Sequence, residues 1–193
     1  MRRITKVMPL RRRKEAKTNY TKRFAMVKSG LDRIVVRRSN TRIIGQAAGY
    51  LEKGDAILVY ADSKELAKYK WPARPNRPTA YLVGLLLARK VKADQALASA
   101  EFILDIGLAS PVKGSIPFVF AKGCIDGGIK MRSGMELSES IYNCSDVKYM
   151  KELKEKSPEK YNRQYSQYIR EGIDAGKLGL LFSQAKERIL HEQ

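Results

Sequence analysis

Arg33-Ile34-Val35-Val36-Arg37-Arg38-Ser39-Asn40-Thr41-Arg42-Ile43-Ile44-Gly45-Gln46-Ala47-Ala48-Gly49-Tyr50 is the stretch that decides the fold. Arg33 to Ser39 is short and built on β-branched side chains, which suit the pleated, half-buried surface of a strand. Asn40 and Thr41 form a polar pair between two such runs, so the chain turns there and Arg42 to Tyr50 returns as a second strand. Gly54-Asp55 is the next turn signal, and Ala56-Ile57-Leu58-Val59-Tyr60-Ala61 the third strand. Strands this closely spaced, joined by short turns, predict an antiparallel meander.

Downstream, Trp71-Pro72-Ala73-Arg74-Pro75-Asn76-Arg77-Pro78 reads as a basic, proline-rich linker. Thr79 is placed to cap a helix running to about Ala93, with Leu82, Leu85, Leu86 and the stem of Arg89 on one face. Phe102 to Gly107 is apolar on both sides of Asp105, as expected of a buried central strand. After a Pro/Gly loop at Pro111 to Pro117, the apolar run Phe118 to Ile129 predicts a helix, against which Gly123, Gly127 and Gly128 count. Three strands, helix, strand, helix give an α/β layer with a mixed sheet, spanning residues 31–129 as one domain. Ser157-Pro158-Glu159 then starts a further helix with an N-cap Ser and Pro at the first helical position. Tyr161, Tyr165 and Tyr168 share its face, an arrangement more common as packing than as a base-stacking platform. A last helix from about Leu180 carries Leu181, Ala185, Ile189 and Leu190 on its apolar side. Residues 130–193 thus form a C-terminal loop and helical extension.

Upstream of the meander lies most of the charge. The 193 residues hold 38 Lys and Arg against 20 Asp and Glu, a formal net charge of +18 with a pI near 10.0. Between Met1 and Arg42 there are 15 basic residues and only two acids, Glu15 and Asp32, a net of +13. A generally supercharged surface would spread its excess; this is an arm, occupying residues 1–30. It runs through Met1-Arg2-Arg3, Pro9-Leu10-Arg11-Arg12-Arg13-Lys14 and Lys17-Thr18-Asn19-Tyr20-Thr21-Lys22-Arg23. Pro9 and mutual repulsion predict an extended start that orders against a polyanion. A short helix follows, capped by Thr18 or Asn19 and ended after Lys28 by Gly30, with Phe24 and Val27 toward the core and Lys22 and Arg23 outward. Tyr20 offers an aromatic face among the cations for stacking on an unpaired base. The alternative use of such an arm is a solvated tail or localisation signal.

Other classes fit poorly. No run approaches the ~18 apolar residues of a membrane-spanning helix, and no apolar signal core follows the first residues, so a cytosolic protein is expected. Cys124 and Cys144 lack C-x-x-C spacing and read as free thiols, Cys124 buried, although spacing alone leaves a disulfide open. His191 is the single histidine, too few for a zinc finger or a histidine-based nucleophile pair. The glycines make neither a dinucleotide nor a Walker motif. Asp62, Asp105 and Asp126 are the one set that suggests chemistry, since a Mg²⁺-dependent nuclease gathers carboxylates from strand ends. The competing assignment makes Asp62 the cap of a helix start at Ser63-Lys64-Glu65, gives Asp105 to backbone donors and has Asp126 cap or pair locally.

Five ordered blocks now stand out. Arg11-Arg12-Arg13-Lys14-Glu15-Ala16-Lys17-Thr18-Asn19-Tyr20 resembles an R-R-R-R-E-x-K-T-D-Y opening. It is followed by Val36-Arg37-Arg38-Ser39-Asn40 with Ile44-Gly45-Gln46, and by Ala80-Tyr81-Leu82-Val83-Gly84-Leu85-Leu86-Leu87-Ala88-Arg89. Leu104-Asp105-Ile106-Gly107-Leu108 and Lys122-Gly123-Cys124-Ile125-Asp126-Gly127-Gly128 complete the series. Together, from about Arg11 to Ile129, they resemble the archaeal and eukaryotic branch of the universal large-subunit ribosomal protein eighteen family, whose members bind 5S rRNA. The resemblance implies a ribonuclease-H-like core without nuclease activity, with no cofactor, metal, membrane or small-molecule substrate. It implies a place in the central protuberance of the cytoplasmic ribosome, joining 5S rRNA to the large-subunit rRNA beside another 5S-binding protein. Carried over by position, it puts Arg11, Arg12, Arg13, Lys14, Lys17, Tyr20, Lys22, Arg23, Arg37, Arg38, Asn40 and Arg42 in RNA-contacting segments. Asn19 stands where the family carries Asp, and Ile116 where relatives carry Lys, which leaves Lys113 as the cation of that loop.

Overall fold

In the computed structural model, which describes residues 8–131, 137–144, 147–173 and 175–191, the quoted stretch is a hairpin at the middle of a sheet. β1 (Asp32–Arg38) and β2 (Ile43–Leu51) pair antiparallel from Arg33↔Ala48 to Arg38↔Ile43. β3 (Gly54–Asp62) pairs antiparallel with β2 and forms one edge. The turn before it falls on Glu52 and Lys53, so Gly54 and Asp55, expected as the turn, already belong to the strand. β4 (Glu101–Asp105) lies parallel to β1 on its other side. A fifth strand, β5 (Lys130–Met131), lies parallel to β4 and gives the order β3-β2-β1-β4-β5. The sequence reading counted four strands; two residues are too short to leave a periodicity.

Alternation along β1 sorts the two faces. Ile34 and Val36 are buried against the helices, while Arg33, Val35 and Arg37 point to the opposite side. The helical side consists of α3 (Arg77–Ala93) and α4 (Ile116–Asp126). α3 is buried almost all round, from Thr79 to Ala88 and at Val91, rather than along one stripe. Its N-cap is Asn76, whose side chain accepts from the Thr79 amide, and not Thr79 itself. The Thr79 hydroxyl instead accepts from Trp71 Nε1 at 2.9 Å.

The glycines that weakened the prediction for α4 prove to be the reason it packs as it does. A Cβ on Gly123 would stand 2.2 Å from the Tyr81 carbonyl oxygen, and one on Gly84 2.3 Å from that of Phe120. The two helices therefore touch backbone to backbone, a distance that only glycine allows.

Beyond β5 the C-terminal residues return to the same core. α8 (Leu178–His191) contributes Phe182, Ala185 and Ile189 to it, and Phe182 meets Trp71 edge-on at 5.9 Å. Leu190, expected inside, is exposed. α5 (Val147–Lys156) precedes α6 (Pro158–Gln164), which begins at Ser157 as expected but without a hydrogen bond from the Ser157 side chain. The chain kinks at Tyr165 into α7 (Ser166–Arg170). Tyr161, Tyr165 and Tyr168 are buried in a small cluster with Leu178, which makes them packing residues. Cys124 and Cys144 are not joined in a disulfide, and burial pushes the Cys124 thiol up.

The arm departs furthest from expectation. Its first residues, Met1-Arg2-Arg3 among them, lie outside the described residues. Where an extended chain was expected, Arg11–Lys14 makes one helical turn, α1, closed by Ala16 in the left-handed region. α2 (Tyr20–Lys28) is capped by Asn19, which accepts from the Lys22 amide, and Gly30 takes a φ of +71° beyond its end. The expected orientation of α2 is reversed in part: Phe24 is 70% exposed, while Arg23 turns in toward the sheet.

Candidate nucleic-acid interface

Among the described residues the arm covers the face of the sheet opposite α3 and α4, and between the two lies a cleft of about 1170 Å³. Arg12, Lys17, Tyr20, Lys22, Arg23 and Arg37 all line it, so the fold gathers six of the residues singled out from sequence. Its wall is held by alternating charges. Arg23 donates two hydrogen bonds of 2.8 Å to the Asp55 carboxylate. Arg33, only 2% exposed, places Nη2 2.6 Å from Asp55 Oδ1 as an ion pair without hydrogen-bond alignment, and Nη1 3.5 Å from Asp105 Oδ2. Arg37 donates to the Asp105 carbonyl at 2.9 Å and to Oδ1 at 3.1 Å, and its guanidinium lies against Gly107.

This chain of five residues fixes two of the expected contacts in different ways. Arg23, expected to face RNA, is engaged with Asp55, so its first role is to dock α2 on β3. Burial works against ionisation of Asp55, and the hydrogen bonds from Arg23 together with the charge of Arg33 outweigh it, leaving its carboxyl below the usual carboxylate range. Arg23 is raised in turn, chiefly by its hydrogen bond to Asp55. Arg37 is held rigidly yet remains half exposed, the state of a donor aimed outward.

On the arm, Arg11 and Lys17 both pair with Glu15, at 3.0 and 2.9 Å. Arg12 Nε donates to Thr18 Oγ1 at 2.8 Å. The side chains of Arg13, Lys14 and Lys22 are exposed and have no partner among the described residues. At the far end of β1 the turn is tied by Ser39, whose amide donates to the Arg42 carbonyl at 2.8 Å and whose hydroxyl accepts from the Arg42 amide at 2.9 Å. The turn leaves Arg38 and Asn40 projecting without partners among the described residues, while Arg42 Nη1 lies 3.5 Å from Asp62 Oδ2. Lys113 is exposed on the loop between β4 and α4.

The three aspartates are each engaged separately. Asp62 forms a capping box with Glu65 at the Ser63–Tyr69 turn. Burial opposes its ionisation, but donors from the Lys64 amide, Tyr60, Arg42 and Ser63 leave its carboxyl low. Asp105 accepts from the Gly107 amide at 2.8 Å and from Arg37. Asp126 accepts from Lys122 and from the Tyr81 hydroxyl at 2.7 and 2.9 Å, an acceptor that adds to burial in raising the Tyr81 phenol. Among the described residues no group of three His, Cys, Asp or Glu gathers in a way that could hold a metal ion.

Three residues of this surface escaped the sequence reading. Arg33 and Gln46 were read as strand, and Arg77 as linker; Arg77 joins Arg38 in a second, smaller cleft at the start of α3 and α4. For Arg33 the signal was present, because Arg33, Val35 and Arg37 alternate with buried Ile34 and Val36.

A mixed sheet backed by helices on one face and by a cationic arm on the other defines a protein of the RNA-binding class. A family model described as ribosomal large subunit proteins 60S L5, and 50S L18, matches residues 6–101. The large ribosomal subunit protein uL18 of Thermofilum pendens (strain DSM 2475 / Hrk 5) is 38% identical over 186 residues, covering 94% of this chain and 93% of the relative. The chain belongs to the uL18 family of large-subunit ribosomal proteins.

Proposed function

We propose that this chain binds 5S rRNA and attaches it to the large-subunit rRNA in the central protuberance of the cytoplasmic ribosome, beside another 5S-binding protein. The observation that carries the reading is the set of uncommitted cations, Arg13, Lys14, Lys22 and Arg38, disposed around the arm and the β1–β2 turn. Cations on the arm neutralise phosphates and release counterions, which gives affinity without reading sequence. The β1–β2 turn is rigid, so Arg37, Arg38, Asn40 and Arg42 present donors in fixed positions and orient the protein on the RNA. Arg77 lines the second cleft with Arg38, and Lys113 adds an exposed cation on the loop between β4 and α4.

The test is competition of the full chain between 5S rRNA and a control RNA of equal length, at 50 and 200 mM salt. Affinity for 5S rRNA should fall by about 10³ or more over that range, as six or more phosphate contacts require. A preference for 5S rRNA over the control should remain at both. A flat salt response, or no preference for 5S rRNA, overturns the reading.

A further inference from the structure

The cleft between arm and sheet is not built like a phosphate site throughout. It is lined by the cations Arg12, Lys17, Lys22 and Arg37, with Arg23 and Arg33 held by Asp55 and Asp105. Its floor is apolar, formed by Val35, Ala48, Ile57 and Leu104 of the strands together with Met26 of α2. Asp55 and Asp105 also line it, but each is compensated by the arginines it pairs with. Phosphates are therefore drawn to the cations, while a ring placed over Val35, Ala48, Ile57, Leu104 and Met26 meets apolar side chains.

One polar group on that floor has nothing to do. Gln46 lies at the centre of β2, opposite Val35 on one side and Tyr60 on the other. Its carboxamide is half-buried, lines the cleft and has no hydrogen-bond partner among the described residues. Half-buried and uncommitted, it is open to solvent in the free protein and available to a ligand. A carboxamide offers a donor and an acceptor side by side, the pattern that matches an adenine edge. The cleft is also roomy, above the ~300–1,000 Å³ of ordinary small-ligand pockets, so a flat ring system enters without displacing the arm.

We propose that this cleft receives one unpaired base of the bound RNA, adenine being the best complement, and that Gln46 reads its edge while the flanking phosphates rest on the lining cations. The inference rests on the RNA-binding reading above and adds to it a specificity-determining residue that carries no charge. RNA is commonly recognised through such extruded bases rather than through its paired grooves.

Gln46→Met keeps the length of the side chain and removes both hydrogen-bonding atoms. Binding of the wild type and of this variant is compared on four probes: 5S rRNA, a large-subunit rRNA transcript, a hairpin with a single bulged adenine, and the same hairpin fully paired. Affinity for the bulged hairpin should fall roughly tenfold, the scale of one lost hydrogen-bonded group, with no change on the paired hairpin and no change in salt slope. Whichever of 5S rRNA and the large-subunit transcript shows the same loss supplies the base. Gln46→Glu, which keeps shape and polarity but brings a third carboxylate to the floor, should show at least as large a loss and covers the case in which the Met variant does not fold. If both folded variants bind the bulged and paired hairpins in the wild-type ratio, the inference is wrong and the RNA-binding reading stands. A wild-type chain that binds none of the four RNAs removes that reading and this one together.

Discussion

The two faces of the sheet are held by different physics. On the inner face α3 meets α4 through Gly84 and Gly123, with carbonyl oxygens where side chains would stand, and the surroundings are apolar. On the outer face α2 is held by Arg23, Asp55, Arg33 and Asp105, charges drawn from α2, β3, β1 and β4 that line an open cleft. Contact between backbones tolerates no added atom and hardly responds to salt. An ion-pair chain tolerates changes of size but answers to pH, ionic strength and any polyanion that competes for its arginines. The inner face thus fixes the fold, and the outer face keeps the arm both placed and responsive.

The sharpest way to break this contrast is on the inner face. Gly84→Ala should lower stability by about 3 kcal/mol or more, because its methyl would meet a carbonyl oxygen that moves only with a whole helix. Denaturant unfolding measures it, and a near-wild-type midpoint would show that the two helices are not in backbone contact.

Asp55→Asn tests the outer face, with an expected cost of about 2 kcal/mol, less than the roughly 3–5 of a fully buried pair because Arg33 keeps Asp105. Hydrogen exchange should quicken across α2 and stay unchanged in α3. Lowering the pH should act likewise. A carboxyl held below its usual range contributes stability above its unfolded value, and that contribution is lost as pH falls through the lowered folded value. Equal protection factors in α2, each taken against the intrinsic exchange rate at its own pH, at pH 7 and well below the ordinary carboxylate range would contradict the clamp.

The turn and the arm can be separated next. Asn40→Ala removes no charge, so the preference for 5S rRNA should drop by about 1 kcal/mol with the salt slope unmoved. Deleting Met1 to Lys17 removes 8 basic residues and one acid, so it should weaken all RNAs alike and flatten the slope. The reverse pattern in competition binding would exchange the roles assigned to the two. The smallest effect is expected at Phe24: Phe24→Ser should change the melting stability by no more than about 0.5 kcal/mol, since the ring is already in water.

Phe24 also shows where sequence reading stops. The meander, α3, β4 and α4 were legible because period-two and helical patterns mark a face that must be buried, and the Ser-Pro-Glu helix start was legible from local capping chemistry. The orientation of α2 was not, since the surface that receives it is a carboxylate 32 residues away and the strongest inward pull is ionic rather than apolar. The same holds for the site. Local charge picked out the arm and the turn, but the cleft that joins Arg12 to Arg37, and the amide of Gln46 on its floor, exist only once β1, β2 and α2 are brought together. Glycines in α4 counted against a helix in sequence because the price of their flexibility is local, whereas the close helix contact they allow is not.

Trp71 is the chain's only tryptophan, and its place gives the protein a built-in optical reporter. The indole is buried, donates its N–H to Thr79 at the start of α3, and lies edge-on to Phe182 of α8. Its fluorescence therefore comes from the seam where the last helix joins the middle of the chain. While α8 is docked the emission should be that of a shielded indole; when α8 lifts away, water reaches the ring and the emission should shift to the red, without any added dye.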